Sequence, residues 1–444
     1  MSKLINGFSK LTKSAKITWL SENYIDENHF NIEVIENSWY QNESIQKILE
    51  GFSENTISNF HLPFGLAPNF LINEKPYCIP MAIEESSVVA AAAAAAKYWL
   101  DRGGFHAKVI DTKKIGQVHF YWFGDAKKLK SSFNTLKTAL LKDIEPLTAN
   151  MVKRGGGVLD IELLDKTAEE PNYYQLFVTF ETCNSMGANF INTILESFAT
   201  TLTSYISNNE NFIGKEKEVK IIMSILSNFT PECLVKAWVE CPIEKLGTYN
   251  SMSANELADK FYTAVKIAKL DPYRATTHNK GIFNGIDAVV IATGNDFRAV
   301  EACGHTYAAK DGKYRSLSTC SLENNIFRFE LEIPLALGTV GGLTKLHPMS
   351  QLALEILGNP SAQELMEIIA VVGLAQNFAA VRSLVTSGIQ KGHMKMHLGN
   401  ILQQLGATEM EKANCQSHFS DKVVSHSAVR DYLENSRLEI NAKC

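Results

Sequence analysis

The sequence predicts a mixed α/β fold (α+β in the strict sense): a large α/β domain, a smaller sheet-and-helix unit inserted into it, and a short helical C-terminal segment. Three observations carry that prediction. Residues 112–225 alternate between short strand-like apolar runs and two long runs with helical periodicity. The segments flanking them return to mixed helix and strand. Past Gly388 the composition shifts toward Asn, Ser, His and Lys.

Within the insertion, strand Gln117–Phe123 precedes a helix over Lys127–Asn150 and a Gly155-Gly156-Gly157 break. Strands Val158–Leu164 and Tyr174–Phe180, helix Asn189–Ser207 and strand Val219–Leu226 follow. The order βαββαβ is the ferredoxin-like split motif. Ile191, Ile194, Leu195, Phe198 and Leu202 form one stripe of the second helix, a face suited to packing on a sheet. Residues 1–111 and 226–388 then make one discontinuous domain, and 389–444 a small helical unit.

In the first part of the large domain, short amphipathic helices are expected up to residue 60, from the spacing of Trp19, Leu20, Ile45, Ile48, Leu49 and Phe52. Two strands should reverse around Glu74-Lys75-Pro76. A serine cap at Ser86 or Ser87 opens a helix of Val88, Val89 and seven alanines, stopped by Gly103-Gly104. Small residues in such a run let a helix approach its neighbours closely. Ser361 followed by Glu364 marks a capping box at the head of a long helix.

At 444 residues the chain exceeds one compact core, and 45% apolar with 20% charged residues is ordinary globular composition. A net charge of -5 without a basic stripe argues against nucleic acid. Eight cysteines without a C-x-x-C pair point to free thiols in a reducing cytoplasm, not to disulfides or zinc. The longest apolar run, Val88–Ala96, is short of a bilayer span, so no membrane association is expected.

The polar stretch Asp271–Gly281 reads as a functional turn, with Lys280 beside a glycine that lets backbone approach a ligand. Residue types alone leave an exposed loop lysine and a catalytic one both open. Neither G-x-G-x-x-G nor a P-loop is present. Met186-Gly187-Ala188-Asn189 at a helix start is instead the candidate phosphate site. Glu84 and Glu85 precede the alanine helix, where the dipole favours carboxylates whatever their role. Asp296 reads equally as a turn residue. His393 and His397 stand four apart without a third ligand at metal spacing, so no metal is expected.

Five segments, in order, resemble the 3-hydroxy-3-methylglutaryl-coenzyme A (HMG-CoA) reductase family, class II, the soluble bacterial type. They are PFGLAPNFLINEKPYCIPMAIEESSVVAAA, NSMGANFINT, DPYRATTHNKGIFNGIDAVVIATGNDFRAVEA, LGTVGGLTKLHP and VGLAQNFAAVRSLVTSGIQKGHM. The resemblance implies reduction of HMG-CoA to mevalonate and CoA by two NAD(P)H, the reductive step of the mevalonate pathway to isoprenoids. The same chemistry run oxidatively, or a non-catalytic CoA-thioester-binding relative, are the alternatives. It implies Glu85 as acid, Lys280, Asp296 and Asn284 as catalytic partners, and His393 as the acid on a C-terminal flap. Ser87, Asn228, Arg274 and Thr277 match substrate-pocket positions. It implies a homodimer with shared active sites.

Those roles also make chemical sense. A fixed ammonium stabilises the oxyanion formed on hydride addition, a histidine protonates departing sulfur, and a carboxyl raised by burial and by Asp296 delivers the last proton. Three positions depart from the family pattern. Ser86 replaces a usual proline. Asn184 replaces an aspartate before Met186, which alters an expected dinucleotide contact. Thr148 stands where NADH-selective members carry an acid, and with Lys142, Lys153 and Arg154 nearby it favours NADPH, with NADH possible.

Overall fold

A computed structural model of the chain describes residues 3–26, 32–386, 388, 398–419, 422 and 424–441. Three N-terminal helices, α1 (Lys13–Tyr24), α2 (Glu33–Asn37) and α3 (Glu43–Glu50), lead into the hairpin β1 (Phe64–Ile72) and β2 (Lys75–Ala82). The reversal falls one residue earlier than expected, on Asn73 and Glu74, whose φ values of 47° and 67° are both left-handed. A two-residue hairpin loop needs such a pair, so Lys75 and Pro76 enter the strand opposite Ile72 and Leu71.

The alanine-rich helix α4 (Val88–Leu100) buries Ala92, Ala95, Ala96 and Trp99 completely or nearly so. Its expected serine cap is absent. Ser87 instead adopts a left-handed φ of 74° and makes no side-chain cap bond. β3 (His106–Val109) follows, and the chain then leaves for the inserted unit.

That unit runs β4 (Lys114–Trp122), α5 (Ala126–Asp143), α6 (Glu145–Val152), β5 (Gly157–Asp165), β6 (Tyr173–Glu181), α7 (Ala188–Asn208) and β7 (Val219–Ser227). Its antiparallel sheet has the order β5-β6-β4-β7, the ferredoxin-like arrangement. The stripe Ile191, Ile194, Leu195, Phe198 and Leu202 is fully buried against Val118, Phe120, Val178 and Phe180. The single helix expected over Lys127–Asn150 is two helices, because Pro146 has no N–H to donate and breaks the ladder at Ile144.

Back in the large domain, β8 (Leu234–Pro242) lies between β3 and β10 (Ile326–Pro334), with β9 (Ser318–Glu323) on the far edge of β10. Between β8 and β9 come α8 (Ala254–Leu270), α9 (Pro272–Ala292) and α10 (Phe297–Ala308). After β10 come α11 (Leu343–Leu346), α12 (Pro348–Ile356) and α13 (Ala362–Val385). The expected capping box starts α13: Ser361 Oγ accepts from Glu364 N, and Glu364 accepts from Ser361 N.

α13 is the one helix among the described residues long and apolar enough to cross a membrane, with mean hydropathy 1.7, although 67% of that stretch is buried in the protein. It packs on α9 and α4 and on the sheet. Glycines on both helices permit the α9–α13 contact. A Cβ on Gly285 would stand 2.8 Å from Val372 O, and one on Gly373 2.8 Å from Ile286 Cγ1. The C-terminal helices Glu409–His418 and His426–Asn441 enclose a separate small core of Leu402, Cys415, Phe419, Val429 and Leu433. His393 and His397 lie outside the described residues.

Gly285→Ala places a methyl against backbone that cannot move aside. It should destabilise the protein by about 1–3 kcal/mol in a denaturant titration, the range for overpacking a closed core.

Candidate active site

The stretch Asp271–Gly281 is not a turn. It is the first half of the 21-residue helix α9, capped by Asp271, whose carboxylate accepts from Tyr273 N, with Pro272 in the first helical position. Asp at the cap and Pro next to it were the sequence signal for this. The helix sorts the polar residues into two faces. Arg274, Thr277, Lys280 and Asn284, spaced by 3, 3 and 4, share the outer face.

His278 and Asn279 point inward and hold structure. His278, 1% exposed, bonds through Nε2 to Ser318 Oγ at 2.6 Å, and Ser318 Oγ donates to Asn377 Oδ1 at 2.8 Å. Asn279 donates to Arg315 O at 2.9 Å and accepts from Leu317 N at 3.0 Å. Burial, then the nearby Arg274 charge, pulls the His278 pKa down to about 3, so the imidazole is neutral. This cluster sets the rotation of α9 and turns Lys280 outward.

Lys280 Nζ donates to Glu85 Oε2 at 2.5 Å. Glu85 comes from the 83–87 loop that joins β2 to α4, two residues before the left-handed Ser87. The burial and the Asp296 carboxylate expected around Glu85 are not what surrounds it: its side chain is 38% exposed and its bonded neighbour is a cation. Arg274 is half-buried, which lowers its pKa, and no carboxylate pairs with it among the described residues. A half-desolvated guanidinium on the same helical face as an amine is suited to receive an anion. Asn284 is half-buried one turn beyond Lys280.

Asp296 is the N-cap of α10, its Oδ1 accepting from Arg298 N and Ala299 N at 3.1 and 3.2 Å and from Arg298 Nε at 3.1 Å. Burial acts to raise its pKa, but the bonds from Arg298 and Ala299 outweigh it and the carboxyl lies below its usual range. Asp296 lines a recess of about 580 Å³ with the residues from Ser185 to Phe190 and the loop from Val340 to Lys345. Gly187, at φ 87°, caps α7, so the first amides of that helix open on the recess. Arg154, Arg298 and Lys345 also line it. Of these only Arg154 stood out in the sequence, by its nearness to Thr148.

Two residues expected to contact the dinucleotide do not line the recess. Thr148 is 7% exposed, its hydroxyl donates to Ile144 O, and it does not line the recess. Asn184 turns away: its Oδ1 accepts from Ala362 N at 2.9 Å and its carbonyl from Thr339 N at 2.9 Å. It ties the 182–188 loop to the large domain. Asn228 lies just past β7, in a crevice with Met186 and Ala188. Among the described residues no group of three His, Cys, Asp or Glu is placed to hold a metal.

A helix N-terminus opening on a cation-lined recess suits the phosphates of a dinucleotide, and Glu85 and Lys280, paired elsewhere at α9, suit acid–base work. Together they fit the class of dinucleotide-dependent oxidoreductases. That class narrows to one family. Residues 15–398 match the model of hydroxymethylglutaryl-coenzyme A reductase. The 3-hydroxy-3-methylglutaryl-coenzyme A reductase of Archaeoglobus fulgidus is 38% identical over 359 residues, 80% of this chain and 78% of its own. A probable reductase of the same name from Borreliella burgdorferi is 35% identical over 420 residues, 95% of this chain and 92% of its own. The class II enzyme of Streptococcus pneumoniae bound to NADPH shares the fold with a TM-score of 0.70 at 37% identity, covering 86% of this chain and 99% of that one. The chain belongs to the hydroxymethylglutaryl-coenzyme A reductase family, and its class II relatives share its architecture.

One half-buried pair of carboxyls has no counterpart in the sequence reading: Asp287, on α9, faces Glu301 on α10. Burial, then the Glu301 charge, pushes its pKa up to about 8. The folded protein therefore holds a proton that the unfolded chain releases near pH 4. Stability should fall as pH rises from about 4 to 8. Asp287→Asn should flatten that decline, with its gain in Tm over wild type larger at pH 8 than at pH 5.

Proposed function

We propose that the chain reduces HMG-CoA to mevalonate and free CoA, using two molecules of NADPH. The observation that carries this reading is the 2.5 Å contact between Lys280 and Glu85, on the same face of α9 as Arg274, Thr277 and Asn284. Reduction of a thioester builds negative charge on the acyl oxygen, and Lys280 offers a fixed cation to it. Arg274 suits the free carboxylate of the acyl group through a bidentate contact, with Ser87, Thr277 and Asn228 as further polar partners. Asn284 orients the amine. Glu85 passes the proton that the product alcohol needs. His393, matched by resemblance to the family's flap histidine, protonates the departing CoA sulfur. Asp296 sets the charge balance where acyl group and dinucleotide meet.

The recess fits a dinucleotide. The first amides of α7, over Met186–Asn189, receive a phosphate, and Arg154, Arg298 and Lys345 neutralise the rest. Three cations around one recess favour the additional phosphate of NADPH, in place of the argument from Thr148. Bound there, the dinucleotide supplies the hydride. In this reading 112–225 is the dinucleotide domain, 1–111 with 226–388 the substrate domain, and 389–444 the flap. Its described cysteines are free thiols, in keeping with a cytoplasmic enzyme.

We also take the working unit to be a homodimer in which each recess serves its partner. Asn295 N bonds to Val290 O, fixing the recess rim at the C-terminal end of α9. Lys280 stands ten residues earlier, about 15 Å along the axis at 1.5 Å per residue. A second copy can bring its own recess to the Lys280 face.

Lys280 is 58% exposed, so Lys280→Ala should keep its Tm while kcat for HMG-CoA reduction falls at least about 100-fold, the scale for losing an oxyanion donor. Near wild-type turnover would remove Lys280 from the mechanism. Mixing inactive Lys280→Ala with a recess variant, Arg154→Glu, and allowing subunits to exchange should restore activity. No recovery would mean each chain uses its own recess.

A further inference from the structure

We propose that Lys114 is a positioning residue for the dinucleotide: its buried amine sets the turn from which α7 presents its first amides to the recess. The inference rests on the assignment of that recess to the dinucleotide.

Lys114 opens β4 and is 5% exposed, yet among the described residues no carboxylate lies within ion-pair distance of its amine. Its Nζ donates to Thr182 Oγ1 at 2.5 Å and to Ser185 O at 2.8 Å. The Thr182 hydroxyl donates to that same carbonyl at 2.7 Å, and Ser185 N returns a bond to Thr182 O at 3.0 Å. The 182–185 turn is thus closed on itself and pinned from below by the amine. Two residues later stands Gly187, left-handed at φ 87°, and a Cβ there would meet Thr182 Cγ2 at 2.5 Å. Thr182 is therefore the floor under the α7 N-terminus. From the other side Asn184 is held by Ala362 and Thr339, and a Cβ on Gly338 would stand 2.5 Å from Met186 N.

The fold does not need this amine. Burial works against it and pulls its pKa down despite the opposing pull of the Glu181 carboxylate nearby, whereas a methionine would fill the same space at no such cost. Lys114 gains its value from fixing two oxygens in the loop that meets the phosphates.

That difference of sign supplies the test, made on the full-length purified protein. Lys114→Met should leave Tm unchanged or raised, increase KM for NADPH about tenfold, as expected for a lost charge-assisted hydrogen bond, and leave KM for HMG-CoA unchanged. Thr182→Val removes the acceptor and keeps the lysine, and should produce the same selective rise. It carries the test if Lys114→Met does not fold. Arg154→Ala reports on the recess itself. Should Arg154→Ala leave the NADPH KM unaltered, the recess assignment falls and this inference with it. Should it raise that KM while Lys114→Met and Thr182→Val do not, the role of Lys114 alone is overturned. A lowered Tm with equal losses for both substrates also overturns it, since that is what a purely structural lysine gives.

Discussion

The rotation of α9 about its own axis is the constraint on which the site depends. Two unrelated sets of contacts fix it. On one side the paired glycines 285 and 373 let α9 and α13 meet at backbone distance, with Ile282 and Ile286 filling the seam. On the other, His278 and Asn279 bond to Ser318, Arg315 and Leu317. A helix turned by one residue would rotate every side chain about 100° and carry Lys280 off the face of Arg274, Thr277 and Asn284. Buried polar groups specify this arrangement more sharply than apolar packing alone, because each misplaced bond leaves an orphan donor or acceptor.

The two halves of the site use charge differently. The half we assign to the substrate keeps its ions half-wet: Glu85 and Lys280 are paired but exposed, and Arg274 is half-buried with no carboxylate partner among the described residues. Exposed pairs contribute little to stability, so they can exchange partners when an anionic substrate arrives. In the half we assign to the dinucleotide, the loop before α7 is tied down by Lys114, Asn184 and Gly338. Ser87, left-handed two residues after Glu85, is a further point of local backbone strain beside the candidate site.

Much of the fold was legible because its signals are periodic and local. The βαββαβ order, the apolar stripe of α7 and the Ser361–Glu364 box each occupy a few residues whose spacing states their geometry. Pattern singled out Lys280 and Met186–Asn189, but the roles of the candidate site residues came from resemblance, and the polar stretch around Lys280 misled in an instructive way. Polar residues at 274, 277, 278, 279 and 280 looked like loop composition, when the 3-3-4 spacing of Arg274, Thr277, Lys280 and Asn284 and the Asp271-Pro272 start were those of a helix. What defeated local reading were side chains whose partners are distant. Asn184 meets Ala362, 178 residues away, and Lys114 meets Thr182 across the sheet. Thr148 failed differently, since a helix interior can absorb a hydroxyl onto its own carbonyls.

The greasy length of α13 has a consequence for biogenesis. By composition it would pass for a bilayer-spanning segment as it leaves the ribosome, and only burial distinguishes it. The surfaces that cover it, α4, β8, α9 and β10, all precede it in the chain. N-to-C synthesis therefore prepares the receiving cleft before the segment emerges, which shortens the interval in which insertion machinery or aggregation competes for it.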